Sequence, residues 1–218
     1  LLNTTARSSN PAPRQKALFN NTTGSSNSAT GYEALRNNTT ASNNSACGVE
    51  ALRSNTTGGS NAATGYQALR SNSTGGNNSA CGVEALRSNT TGSGNSATGY
   101  QALYANTTAS NNSATGYQAL RFNTTGANNV ATGYRTLFST STGDNNTATG
   151  VDALFANSTG NNNVAIGRSA LTSNTTGSGN FGAAFRNNAG TYAPVFNPTT
   201  ENNRVVMGHT AVTNAYVQ

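Results

Sequence analysis

The chain has no tryptophan, one methionine, one histidine, two cysteines and four prolines, and only 8% of its 218 residues are charged. Each shortage excludes something. Two cysteines cannot build the disulfide framework that holds small secreted domains together. The carboxylates are few and scattered singly: Asp144, Asp152 and Glu84 stand on separate segments, and His209 is alone. General acid–base and hydrolytic chemistry therefore has little to use, and no enzyme is expected. No catalytic residue, cofactor-binding residue or metal ligand is assigned, and no cofactor is expected. An Asp-rich calcium roll is excluded by the presence of only Asp144 and Asp152. No apolar run approaches the ~20 residues of a membrane-spanning helix, so no membrane insertion is expected. At 33% hydrophobic residues a conventional large core is out of reach, yet disordered chains are rich in charge and proline, and this chain is not.

The dominant feature is a period. Leu1, Leu18, Leu35, Leu52, Leu69, Leu86, Leu103, Leu120, Leu137, Leu154 and Leu171 follow one another at steps of 17 residues with no insertion or deletion. A second ladder keeps the same step: Asn10, Asn27, Asn44, Asn61, Asn78, Asn95, Asn112, Asn129, Asn146, Asn163 and Asn180. A fixed short period of this kind marks a solenoid, in which each unit buries its apolar side only by stacking on the next. The expected fold is all-β: a parallel β-solenoid of about eleven 17-residue coils over residues 1–185, with a non-repetitive, β-rich segment over 186–218.

Within a coil, such as residues 95–109, a glycine in mid-unit and an Asn/Thr/Gly cluster after the leucine would break any helix, whereas short alternating stretches fit strands and turns. Slots 96, 98 and 100 accept Val130, Val164, Ile166, Cys47, Cys81, Val49, Val83 and Val151 in other coils, so they are expected to point inward. The intervening slots hold alanine (Ala29 through Ala165) and glycine (Gly31 through Gly167), which suggests a close second backbone and makes this Ala/Gly face the expected interface. Cys47 and Cys81 lie two coils apart, ~9–10 Å by strand spacing and beyond the ~7 Å limit for a disulfide; they are expected to be free thiols packed in the core. The Asn-Thr-Thr-Gly segments at Asn21, Asn55, Asn89, Asn123 and Asn174 match the glycosylation acceptor pattern, but turn chemistry accounts for them, and stacked asparagine amides can bond along the axis. Arg36, Arg53, Arg70, Arg87 and Arg121 recur one per coil, with Glu33, Glu50 and Glu84 three residues before three of them. With no basic cluster beside them they read as a solvated, partly paired stripe, and nucleic acid is not the expected partner. Tyr32, Tyr66, Tyr100, Tyr117 and Tyr134 share a slot with valines; core or interface filling is the expected role, against an exposed sugar-binding strip.

Fully burying one leucine stabilises by ~1.5–3 kcal/mol, while ordering 17 residues costs on the order of 17–34 kcal/mol. So thin a column calls for lateral association with other chains.

Asn163-Val164-Ala165-Ile166-Gly167 and relaxed forms such as Asn112-Ser113-Ala114-Thr115-Gly116 resemble the head repeat of the YadA-like trimeric autotransporter adhesins. That resemblance implies a left-handed β-roll and a homotrimer, although the family's usual period is shorter than 17. Gly-Tyr-Gln-Ala-Leu at 99–103 with the Asn-Thr-Thr-Gly turn looks like repeats of phage tail-fibre proteins. Residues 202–208 and 210–218 resemble the segment before the endosialidase-type intramolecular chaperone of phage fibres, which assembles three chains and then cleaves itself away. A start in phase with the repeat and without Met suggests a fragment or processed product. The resemblance implies a tail-fibre shaft in the virion with a host-surface glycan or protein as possible partner and the chaperone as a transient one. The rival is the head of a bacterial surface adhesin, located extracellularly. An ice-binding solenoid is a third reading, opposed by the pairing of Thr39-Thr40 and Thr56-Thr57, whose adjacent side chains would point to opposite faces. Since coils this alike permit slippage by one period, residues 186–218 are expected to set the register. The receptor-binding residues are not identifiable from the sequence.

Overall fold

The computed structural model describes residues 16–184 and 199–207. Three-residue strands recur once per coil: β1 (Ser28–Thr30), β2 (Ser45–Cys47), β3 (Ala62–Thr64), β4 (Ser79–Cys81), β5 (Ser96–Thr98), β6 (Ser113–Thr115), β7 (Val130–Thr132), β8 (Thr147–Thr149), β9 (Val164–Ile166), β10 (Phe181–Ala183) and β11 (Val205–Met207). They form one parallel sheet of 11 strands in sequence order. Ser28 pairs with Ser45, Ala63 with Ala80 and Thr149 with Ile166, so β1 to β10 advance by the sequence period at each rung. The described residues make a parallel β-solenoid of about nine turns and contain no helix. At ~4.8 Å per rung each coil sits directly over its predecessor.

Three left-handed positions and one glycine of larger φ turn each coil; the third left-handed position is the one before the ladder asparagine, as at Ser26 and Asn43. The ten leucines from Leu18 to Leu171 all hold φ between 50° and 53°, a region that costs a non-glycine residue about 1–2 kcal/mol. Burial of the leucine side chain, ~1.5–3 kcal/mol, offsets that cost only because the stack exists. The slot two residues earlier, occupied by Glu33, Gln67, Arg135 or Asp152 according to coil, is left-handed as well. After each of β1 to β9 a glycine turns the chain at φ 105–141°, and a Cβ at Gly99 would run into the carbonyl of Gly116 in the next coil. The invariance of Gly31 through Gly167 follows from backbone stacking on backbone along the axis.

The interior differs from the expected one in which face it takes. Leu18 through Leu171 are at most 2% exposed, and the middle residue of each of β1 to β9, Ala29 through Ala165, is equally sealed. The flanking slots are the outer ones: Ser28, Thr30, Cys47, Cys81, Ser96, Thr98, Tyr100, Val130 and Ile166 are all exposed. The cause is width. Leucine projects from the opposite wall of the coil and fills the space under the sheet, leaving room for a methyl group and nothing larger. The β-branched residues of slots 96, 98 and 100 are therefore on the outer surface, the alanines cannot form an interface, and Cys47 and Cys81 are free but not in the core.

Two buried columns of asparagine replace the missing apolar volume. In the expected ladder, Asn44 N–H donates to Asn27 Oδ1 at 3.0 Å and Asn44 Nδ2 donates to the Gly58 carbonyl at 3.0 Å, and the pattern repeats up to Asn180. The second column is the turn asparagine: Asn38 Nδ2 donates to Asn21 Oδ1 at 2.8 Å and to the Ala41 carbonyl at 2.9 Å, and Asn55, Asn72, Asn89, Asn106 and Asn123 repeat the motif. Both columns are fully buried. A buried amide is tolerable only with its bonding capacity met, and stacking meets it along both columns except beside Thr140, where Asn123 Oδ1 has no partner. The same burial removes the Asn-Thr-Thr amides from any modifying enzyme.

The coil geometry continues past Asn180 in a form the sequence period does not show. β11 pairs with β10 in parallel, Phe181 facing Val205, a step of 24 residues. Arg204 N–H donates to Asn180 Oδ1 at 2.9 Å, as each ladder asparagine does one coil earlier, and Asn180 Nδ2 donates to the Glu201 carbonyl at 2.8 Å. Residues 199–207 thus build a further rung, seven residues later in the chain than the period would place it. Leu1 and Asn10, the boundary at 185/186, His209 and the 210–218 segment lie outside the described residues.

Candidate functional site

With the apolar ladder spent on the interior, chemistry is left to two outer surfaces. The first is the sheet itself. Slots 28 and 30 alternate with the buried alanine, so their side chains stand on one flat face in columns spaced at ~4.8 Å along the axis. One column is Thr30, Cys47, Thr64, Cys81, Thr98, Thr115, Thr132, Thr149 and Ile166; the other runs from Ser28 through Ser96 and Ser113 to Val130, Thr147, Val164 and Phe181. Polar hydroxyls dominate the N-terminal coils and β-branched or aromatic groups the C-terminal ones. Ile166 is 50% and Val205 69% exposed.

The second surface runs along the turn beside it. Tyr32, Val49, Tyr66, Val83, Tyr100, Tyr117, Tyr134 and Val151 form an exposed column. Where tyrosines occupy successive coils they stack: Tyr100 on Tyr117 at 5.1 Å between centroids and Tyr117 on Tyr134 at 5.2 Å, with interplanar angles of 16° and 11°. Around the corner, Phe138 stacks on Phe155 at 5.1 Å and meets Phe122 edge-on at 4.9 Å. Two guanidiniums join these groups. Arg135 lies 5.0 Å from the Tyr134 ring and 4.9 Å from that of Phe155. Arg121 lies 4.5 Å from Phe122, 5.5 Å from Tyr104 and 6.0 Å from Phe138. The result is one connected belt of rings and cations.

Its electrostatics change along the axis. In the first coils, Arg53 reaches back 20 residues to Glu33 at 2.5 Å and Arg70 to Glu50 at 2.7 Å. These pairs are closer than the contacts three residues apart suggested by the sequence, such as Arg53–Glu50 at 3.8 Å. The hydrogen bond from Arg53 holds the Glu33 carboxyl below its ordinary value. Burial alone would raise Glu50, but hydrogen bonds from Arg70 and Gln67 outweigh it and the net shift is downward. Further on, the acid slot becomes an amide: Arg87 Nε donates to Gln67 Oε1 at 2.8 Å and Arg121 Nε to Gln101 Oε1 at 2.9 Å. Arg135 occupies that slot itself and pairs with Asp152 at 3.0 Å.

The leucine and asparagine ladders singled out from the sequence are thus structural, and the structure brings them together inside the column. The tyrosine slot is exposed in the single chain; Arg87 and Arg121 belong to the stripe read from the sequence, whereas Arg135 and the phenylalanine neighbours were missed because they fall in slots that change identity from coil to coil. Among the described residues no three His, Cys, Asp or Glu side chains come together as a metal site. No family model matches the chain, and neither a curated protein nor a solved structure is significantly similar to it.

Proposed function

We propose that the chain is a rigid spacer and attachment segment of a fibre, built as a homotrimer of parallel solenoids, of the phage tail-fibre kind suggested by its repeats. The observation that carries this reading is the outer sheet face. A flat array with Val130, Ile166 and Val205 exposed and Val164 half-buried beside them is costly to leave in water and suits contact with two further copies of the same face, where a fixed period keeps the rungs aligned. The head of a bacterial surface adhesin is the nearest alternative; the two differ in what the full reading frame carries downstream.

Sedimentation equilibrium of the purified chain should give three copies, and Ile166→Asp, which places a charge on the outer face without touching the core, should give one. A monomeric parent chain refutes the reading. Residues 186–218 are proposed to hold the three chains in register, so truncation after Asn180 should produce staggered, polydisperse oligomers.

A second reading is favoured by one observation. The objection from Thr39-Thr40 does not apply to slots 28 and 30, where Ser28, Thr30, Ser96, Thr98, Ser113, Thr115, Thr147 and Thr149 do share one flat face. An ice-binding surface would need that face uncovered. Thermal hysteresis by a monomeric chain would select this reading, and a trimer burying the face excludes it.

A further inference from the structure

We infer that the aromatic and cationic belt over the coils from Tyr100 to Phe155 binds an acidic polysaccharide, with the Arg121 guanidinium receiving its carboxylates. The inference deepens the attachment role proposed above and rests on that reading only for what the fibre would present to a surface.

The argument begins with a difference among the arginines. Arg36 and Arg53 both have Glu33 in reach, Arg70 has Glu50, Arg87 has Glu84 and Arg135 has Asp152. Arg121 has glutamines where those carboxylates stand: Gln101 at the slot 20 residues back and Gln118 at the slot three residues back. From Ala85 to Gly143 the chain has Arg87, Arg121 and Arg135 and not one carboxylate, within a molecule of net charge +6. Only the Arg121 Nε is used internally among the described residues, and its face is held against Phe122, Tyr104 and Phe138. The planar fork formed by its two terminal amino groups is left for a bidentate oxygen ligand, the geometry a carboxylate fits.

The rings decide what kind of polymer carries that carboxylate. Because Tyr100, Tyr117 and Tyr134 stack face to face, as do Phe138 and Phe155, the faces they turn to one another are covered and the exposed tyrosines have edges and hydroxyls left to offer. Aromatic edges carry the positive end of the ring quadrupole and the tyrosines add phenolic donors, so the surface offers C–H and O–H groups to oxygen-rich ligands. A single-stranded nucleic acid needs open ring faces on which its bases stack, and here the faces that the rings turn to one another are closed. A polyuronate chain presents hydroxyl, ring and carboxylate oxygens along its length, which suit the positive ring edges, the phenolic donors and the open fork of Arg121.

The test uses the full chain and polygalacturonate as the probe, with neutral dextran and oligo-dT as comparators, by isothermal titration at low and high salt. Polygalacturonate should bind in a salt-sensitive manner and dextran should not. Arg121→Gln should weaken binding by about tenfold, the worth of one charge-assisted bidentate contact. Gln101→Glu should do the same, because it sets a carboxylate on the Arg121 Nε as Glu33 does on Arg53; it also replaces the 2.8 Å hydrogen bond from Gln101 Nε2 to Glu84 by a carboxylate contact, so circular dichroism of the variant must first match the parent. Arg53→Gln, outside the belt, should bind as the parent does. Undiminished binding by Gln101→Glu, absence of binding by the parent chain, or oligo-dT bound as tightly as polygalacturonate would each overturn the inference. Sedimentation of the same samples separates the two claims: a monomer that binds polygalacturonate keeps this inference and removes the trimeric fibre, and a trimer that does not bind does the reverse.

Discussion

Thr140→Asn should stabilise the protein, and the structure specifies by how much. Position 140 is the turn-asparagine slot, and it is the one place from Asn21 to Asn174 where that column holds a different residue. The substitution leaves a visible defect: the Thr140 hydroxyl is buried without a partner, and so is Asn123 Oδ1, which in every lower coil accepts from the asparagine above. Asn157 Nδ2, which elsewhere would also donate down the column, bonds only to the Gly160 carbonyl at 3.0 Å. The Gly143 carbonyl accepts only from Asn129 Nδ2, whereas its counterpart Gly58 accepts from both Asn44 and Asn55. An amide at 140 would donate to Asn123 Oδ1 and to the Gly143 carbonyl and accept from Asn157. Three net hydrogen bonds at ~0.5–1.5 kcal/mol each, with two orphan atoms relieved, come to ~2–4 kcal/mol; ordering the new side chain reduces this to about 2 kcal/mol. For a chain of this size that raises the melting temperature by roughly 4–8 °C. Differential scanning calorimetry of the two proteins is the assay, with Asn89→Thr, which should lower the melting temperature by a similar amount, as the converse. A variant melting at or below the parent temperature would refute the view that amide stacking is a net stabiliser.

Leu86→Ala should cost ~2–5 kcal/mol, since the leucines above and below are committed to their own rungs and cannot fill the cavity; chemical denaturation measures it, and Leu86→Asp should abolish the fold. Gly99→Ala should be more damaging than its single methyl suggests, by ~1–3 kcal/mol from the backbone alone, because φ is 130° and the Cβ meets the Gly116 carbonyl; an unchanged urea midpoint would contradict the stacked-backbone account. Glu33 and Glu50 have native values lowered from 4.5, so their contribution is complete above that pH and is lost as pH falls through the lowered native values. Melting temperature should therefore fall below about pH 4.5 in the parent and fall less in a Glu33→Gln, Glu50→Gln variant, which should start lower at neutral pH.

Much of this architecture was legible in the chain because a 17-residue step without interruption admits few folds. The parallel rungs, the buried leucines and the bonding of Asn27 through Asn180 along the axis all follow from the period and the bonding capacity of an amide. Which face of the strand lies inside was not legible. Alternation says that slots 96 and 98 oppose slot 97, but only the depth of the coil decides that alanine goes in, because the leucine arriving from the far wall occupies the volume a valine would need. The burial of the turn asparagines was hidden for a similar reason: Asn-Thr-Thr-Gly is a surface turn by composition, and only stacking converts its amide into core. The rung at Val205–Met207 was invisible because a step of 24 breaks the pattern that a reader of periods follows. The belt around Arg121 was hidden most completely, since Tyr104, Phe122, Phe138 and Phe155 occupy variable slots and touch only when successive coils lay residues about 17 apart one above another.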